Sequence, residues 1–319
     1  MEKNLETEQL KDFYNRVEIN GKLASIEVFN GKTSAGIPYI SIKGEIQYGD
    51  TGVETADFKS FAVAQKKDGS PSKLYASLKD FADKAVPMTK DKANATMLLA
   101  TGRLDANDFY SERDGGKVIE GVQNTISFFG DYNPTYTERD GYLTNVTATV
   151  DGYVLNISDE IKNDEPTGRK KFSLLTLDPF KNAVIIKNIM VEATIAEDFA
   201  QAYDKGDTAQ FFLTRMVHKG ESHAKSNSVG GFGTQRVTEG RDYTEWICTG
   251  GTPIYEEDSK KVITPKMFKE IMTVRENKLS EIKAAGESGG QKQSSERTSF
   301  KAKTTTEEFS PISDEDIPF

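Results

Sequence analysis

Aromatic and basic side chains are interleaved along two long stretches of this 319-residue chain. In the first, Phe29, Tyr39, Tyr48, Phe58 and Phe61 stand near Lys22, Lys32, Lys43 and Lys59, and further on Arg103 precedes Phe109, Tyr110 and Arg113. In the second, Tyr153, Phe172 and Trp246 alternate with Arg169, Lys170, Lys171 and Arg215, and a long loop over 219–241 adds Phe232, Arg236 and Arg241. Flat rings stack on planar groups, each base so stacked being worth about 1–3 kcal/mol, and cations take phosphates. Those are the two ingredients of a surface for an unpaired polynucleotide strand. Each residue also has a plainer role. Rings in small domains mostly fill cores, and a basic triplet such as Arg169-Lys170-Lys171 is commonly a solvated hairpin. Strand phase separates some of them: Tyr39 is out of phase with Ile40 and Ile42 and faces away from whatever they bury, while Phe58 and Phe61 point to opposite faces.

Catalytic chemistry finds little support. Gly230-Gly231-Phe232-Gly233 lacks the Lys-Ser/Thr of a phosphate-binding loop and does not open a helix after a strand. His218 and His223 sit in a loop with only the distant Cys248 to help them hold a metal, and read as surface residues. Asp105, Asp108 and Glu112 have the look of a nuclease metal site, but nothing else converges on them and a solvated hairpin is the expectation. No catalytic residue, metal or cofactor is expected. One cysteine cannot form an intrachain disulfide, which agrees with a reducing compartment. Lys+Arg 41 against Asp+Glu 50 gives a net charge of −9, which excludes a histone-like DNA packer. No uncharged apolar run nears the about 20 residues of a spanning helix, and the charged Met1–Glu6 segment carries no secretory signal, so a cytoplasmic location without a membrane partner is expected.

The elements that must position these groups are strands. Val17–Phe29, Pro38–Tyr48, Glu54–Ala64, Ala95–Leu104 and Val118–Phe129 alternate apolar and polar positions and are separated by turn chemistry. A helix over Ser72–Val86, with Leu74, Leu78, Phe81, Ala82 and Ala85 at helical spacing, lies between the third and fourth strands and stops at Pro87. Five strands in that order predict a Greek-key barrel of the OB type. The order then repeats: a strand from Gly141 to Ile157, then Arg169–Asp178, Ala183–Glu192, a helix opened by a Thr194/Glu197 capping box, Thr208–Val217 and Asp242–Thr249. Thr264-Pro265 starts an amphipathic helix that Gly286 should close, packing on the second barrel or on another subunit. The expected fold is therefore all-β with minor helices: two tandem five-stranded OB barrels over 1–133 and 134–263, the helix over 264–286, and a disordered acidic tail over 287–319.

That tail ends Asp314-Glu315-Asp316-Ile317-Pro318-Phe319. A basic rim can take the acids, a hydrophobic pocket can take Phe319, and a basic side chain can clamp its carboxylate. An ordinary solubilising tail has no reason to end in Ile-Pro-Phe. Here the chain resembles the bacterial-type single-stranded DNA-binding proteins, whose tails end in acids followed by Ile or Leu, Pro and Phe. Thr101-Gly102-Arg103-Leu104 with Phe109-Tyr110 is likewise similar to that family's Gly-Arg-Leu strand and aromatic loop. The resemblance implies that the barrels coat single-stranded DNA while residues 314–319 recruit replication, recombination and repair proteins. It also implies, by analogy, a homodimer presenting four barrels. Two barrels per chain and a short tether depart from most bacterial members and point to a phage or mobile-element version in a bacterial host. An OB-fold adaptor for protein contacts, with little DNA affinity, is the alternative. Seven acids against four bases from Glu287 onward leave −6 for the rest, so binding has to depend on local cationic tracks and stacking.

Overall fold

The computed structural model describes residues 9–49, 54–131, 145–218, 223–225, 236–238 and 243–289. Its first half contains β1 (Asn15–Lys32), β2 (Pro38–Tyr48), β3 (Glu54–Val63), α1 (Lys73–Lys84), β4 (Met97–Ala106), a small hairpin of β5 (Phe109–Ser111) and β6 (Lys117–Ile119), and β7 (Val122–Asp131). Neighbouring strands pair in the order β1–β2–β3–β7–β4, and β4 returns to β1, which closes a barrel. All of these pairings are antiparallel except β3 with β7. Alternation builds it: Ile40, Ile42, Ile46 and Tyr48 of β2 are buried inside, as are Ala56, Phe58 and Ala62 of β3. Ser72 caps α1 by accepting from the Tyr75 amide at 3.2 Å, and Leu74 and Leu78 bury its inner side.

The second half repeats the plan with β8 (Val146–Lys162), β9 (Glu165–Leu177), β10 (Ala183–Val191), α2 (Ala196–Ala202), β11 (Thr208–His218), a β12 (His223–Lys225) and β13 (Arg236–Thr238) hairpin, and β14 (Tyr243–Gly251). The pairings β8–β9–β10–β14–β11–β8 close it, with β10 and β14 parallel. Each barrel has the strand order and the helix position of an OB fold, as expected. Two details differ from expectation. Thr194 and Glu197 form no capping box, since α2 starts after Ile195 and has no side-chain cap. The first two strands of this barrel also run further than the apolar pattern, because Asn163 and Asp164 both take positive φ (52° and 65°) and make a two-residue hairpin turn.

The barrels are not merely tethered. Asn15–Ile19 of β1 pairs with Val146–Val150 of β8, so all ten barrel strands form one sheet. The Asn15 side chain staples the junction, donating to the Leu104 and Leu177 carbonyls at 2.8 and 3.0 Å and accepting from the Leu104 amide at 3.0 Å. One apolar cluster runs through both barrels.

A second cluster lies outside barrel 2. There α3 (Pro265–Gly289) covers β8, β9 and β10: Ile263, Met267 and Ile271 meet Tyr153, Leu175, Leu177 and Ala183, and Phe268 stacks on Tyr153 with centroids 4.8 Å apart. Thr264 caps α3 through its hydroxyl, which accepts from the Met267 amide at 3.3 Å. The helix does not stop at Gly286 as expected. Gly286 lies inside it, where a Cβ would come within 2.2 Å of the Tyr110 ring, so the glycine serves close approach rather than termination. Asp151, fully buried, accepts from the Tyr14 amide (2.8 Å), the Tyr255 hydroxyl (2.7 Å), Gln210 (3.0 Å) and Lys261 (2.8 Å), which fastens the connector ahead of α3 to barrel 2. Burial and the neighbouring Asp151 carboxylate push the Tyr255 phenol well above its ordinary pKa.

Candidate nucleic-acid interface

The outer face of β1, β2 and β3 is a grid whose rows follow from the register. Nearest the β1–β2 turn, Gly31, Tyr39 and Val63 lie side by side; the next row is Phe29, Ser41 and Phe61, and the next Glu27, Lys43 and Lys59. Three rings and two lysines thus share one face. Phe29 is 41% exposed and Lys43 is exposed. Tyr39 and Phe61 are half-buried against each other, centroids 5.4 Å apart and tilted by 37°. Two strand spacings place Phe29 about 10 Å from Phe61. Tyr39 lies flat over its neighbour because Gly31 has no side chain: a Cβ there would meet the ring at 2.6 Å. Lys22, further down the same face, and Lys32, at the end of β1, are exposed. A flat apolar patch edged by cations can stack bases and hold their phosphates without reading sequence.

Of the first-barrel residues singled out in the sequence, this face brings together Lys22, Phe29 and Tyr39; Lys32 is corrected off it, because its pairing with Pro38 turns it to the opposite side of the pleat from Gly31 and Tyr39. Tyr48 and Phe58 are corrected to the interior. They share the parity of Ile46 and Ala56, and each is 4% exposed. Burial raises the Tyr48 pKa, and Phe58 sits edge-on to Phe129 at 5.4 Å. Phe61 is the outward partner of that pair of rings, and only the pairing with Ser41 settles which of the two is which. Arg103 is also corrected. It is buried, paired with Asp105 at 2.8 Å, and stands over the Phe180 ring of the other barrel. Phe109 is 48% exposed and Arg113 lies in an exposed turn, but Tyr110 is committed to α3 at Gly286.

Barrel 2 treats its expected contacts differently. Tyr153 and Phe172 are core residues, the first under α3 and the second packed between Phe199 and Phe211. Arg169 is corrected from a phosphate contact to the centre of an acidic cage, 2.7 Å from Glu245, 3.0 Å from Glu192 and 3.6 Å from Glu160. Burial opposes its charge, but the Glu245 hydrogen bond and the three carboxylates outweigh it and raise its pKa. Lys170 pairs with Asp159 at 2.8 Å, while Lys171 lies half-buried on the outer face opposite Ser158 and Met190. Arg215 and Trp246 face each other across β11 and β14, both half-buried, with Trp246 against the core. Arg236 pairs with Lys225 through the backbone of the β12–β13 hairpin. Phe232 and residues 314–319 lie outside the described residues. Asp108, expected in a solvated hairpin, is instead buried against Arg275 of α3.

Residues 14–285, both barrels and nearly all of α3, match the YorF family. The chain belongs to the YorF family. No curated protein sequence matches it. Among solved structures, this YorF-family chain is similar to a deletion mutant of the single-stranded DNA binding protein from Thermus aquaticus, at 13% identity and a TM-score of 0.45 over 77% of this chain and 96% of that one. The wild-type Thermus aquaticus protein gives 12% identity and a TM-score of 0.44 over 76% and 94%.

Proposed function

We propose that this protein binds single-stranded DNA without sequence preference on the outer face of β1, β2 and β3, and that its Asp314–Phe319 tip recruits replication, recombination or repair proteins to the coated strand. The observation that carries the reading is the outward grouping of Phe29, Tyr39 and Phe61 beside Lys43 and Lys59. Stacking supplies most of the affinity, because the chain is acidic. If Lys22, Lys43 and Lys59 each meet a phosphate, the affinity falls with salt with a log–log slope of only about −2, since single strands give about −0.7 per phosphate neutralised.

A second reading, an adaptor for protein contacts, is favoured by one observation: barrel 2 uses the same face to hold a helix. Anisotropy of a labelled oligo-dT titrated with the full chain in dilute buffer separates the two. Binding that is lost in a Phe29→Ala/Phe61→Ala variant supports the strand reading. No binding by the unmodified protein leaves the adaptor.

A further inference from the structure

We infer that each chain has one strand-binding face rather than two, because the rows of barrel 2 that match the ring rows of barrel 1 hold an ion-paired arginine and no ring, and the deeper rows of the same strands lie under the chain's own helix α3; this rests on the single-strand reading above. The two barrels share strand order, so their outer faces can be matched row by row. In the rows where barrel 1 carries Phe29 with Phe61 and then Lys43 with Lys59, barrel 2 carries Arg169, ion-paired to Glu192 and Glu160, and then Ser158, Lys171 and Met190. No ring stands in those rows, and Arg169 is already held by Glu160, Glu192 and Glu245. Deeper in, beyond the bulge that each first strand carries, barrel 1 presents polar Lys22, Gln47 and Thr55, while barrel 2 presents Tyr153, Leu175 and Ile185, with Leu177 and Ala183 beyond them. Those apolar rows are a cradle, and α3 fills it with Met267, Phe268 and Ile271.

Nothing in the seating of α3 suits a removable lid. Arg275 projects from α3 into a site where its side chain is 4% exposed and that of Asp108 is 2% exposed. Its guanidinium makes a two-pronged contact with Asp108 at 3.1 Å, donates to Glu120 at 2.8 Å and reaches the Ala183 carbonyl at 3.1 Å. Lifting the helix would strip Asp108 and Glu120 of this cation and uncover the apolar cradle beneath it, a far larger penalty than breaking a surface ion pair. Asp108 and Glu120 flank the β5–β6 hairpin of barrel 1, so Arg275 is a positioning residue that fixes this hairpin to barrel 2. Lys187 of β10 adds a 2.9 Å bond to Glu120, and the Tyr110 ring rests on Gly286. Barrel 2 and α3 form the buttress; barrel 1 holds the strand.

The consequence is a short footprint. An OB fold covers about 4–16 nucleotides, so the affinity of the full chain for oligo-dT should climb to a plateau by about 10 nucleotides, and a 30-mer should load about three chains. Anisotropy across a length series reads the first, and sedimentation of the complexes reads the second. Hydrogen exchange on the same full chain supplies an independent reading: a saturating 10-mer should slow exchange in β1–β3 and leave α3 and β8–β10 unchanged. Affinity still rising steeply to about twice that length, two short oligomers per chain, or loss of α3 protection when DNA binds would overturn the inference while leaving the strand reading intact. Failure of every length to bind overturns the strand reading and this inference with it.

Discussion

Barrel 1 and barrel 2 have the same strand order and opposite uses for the same face. On barrel 1 the rows across β1, β2 and β3 carry Phe29, Tyr39, Phe61, Lys43 and Lys59 toward solvent; on barrel 2 the matching rows carry Arg169 in its acidic cage and Lys171, and the deeper rows of the same strands, Tyr153, Leu175, Leu177 and Ala183, lie beneath a 25-residue helix. A duplicated fold therefore does not duplicate a site. What decides the use of the face is whether its outward positions are rings with cations beside them or an unbroken apolar cradle, and whether the chain supplies something to fill that cradle.

The comparison breaks most severely at the clamp. Arg275→Ala removes the partner of buried Asp108 and should lower stability by about 3–5 kcal/mol in urea unfolding, since breaking one half of a buried pair strands the other. Arg275→Lys keeps the charge but not the fork, and should recover only part of that loss. The mirror-image change on barrel 1 acts on binding instead. Phe29→Ala or Phe61→Ala should each weaken oligo-dT binding by about 1–3 kcal/mol, roughly 5- to 150-fold, with the urea midpoint nearly unmoved for the exposed Phe29. Gly286→Ala pushes a methyl into the Tyr110 ring and should cost about 1–3 kcal/mol of stability, whereas the same change in a free helix would gain up to about 1 kcal/mol; a stabilised variant would show that Tyr110 does not rest there.

The smallest effect concerns pH. Burial works against the Glu120 charge, but hydrogen bonds from Lys187 and Arg275 outweigh it and hold its pKa below the ordinary carboxylate value. A carboxylate depressed by folding contributes stability that is complete above its unfolded pKa and is lost as pH falls through the folded one. The tie between α3 and the hairpin should therefore weaken below about pH 4, and Glu120→Gln should flatten that part of the pH–stability curve.

The strands and their order could be read from the sequence because alternation is a local signal: Pro38–Tyr48 matches β2 to the residue. Parity also placed Tyr39 outward. Other placements depended on contacts distant in the chain. Phe58 and Phe61 differ only in which one the register turns inward, and Tyr153 looks like a surface ring until α3 is laid over it. Arg169-Lys170-Lys171 reads as a cationic track because Glu160, Glu192 and Glu245 come from three other places in the chain. The amphipathicity of α3 announced a buried side, and packing on barrel 2 was one of the two expected arrangements. That α3 seats on the outer rows of β8, β9 and β10 follows only from the strand pairings. Nor could Arg275 be linked to Asp108 and Glu120 before folding, separated as it is from each of them by more than 150 residues.

Photocrosslinking tests the central claim most directly. A 10-mer of dT carrying one iodouracil is irradiated with the full-length protein, and the modified peptides are mapped. The account predicts adducts at Phe29, Tyr39 or Phe61 and none on β8–β10 or α3. Adducts confined to barrel 2, with the β1–β3 peptides unmodified, would contradict it.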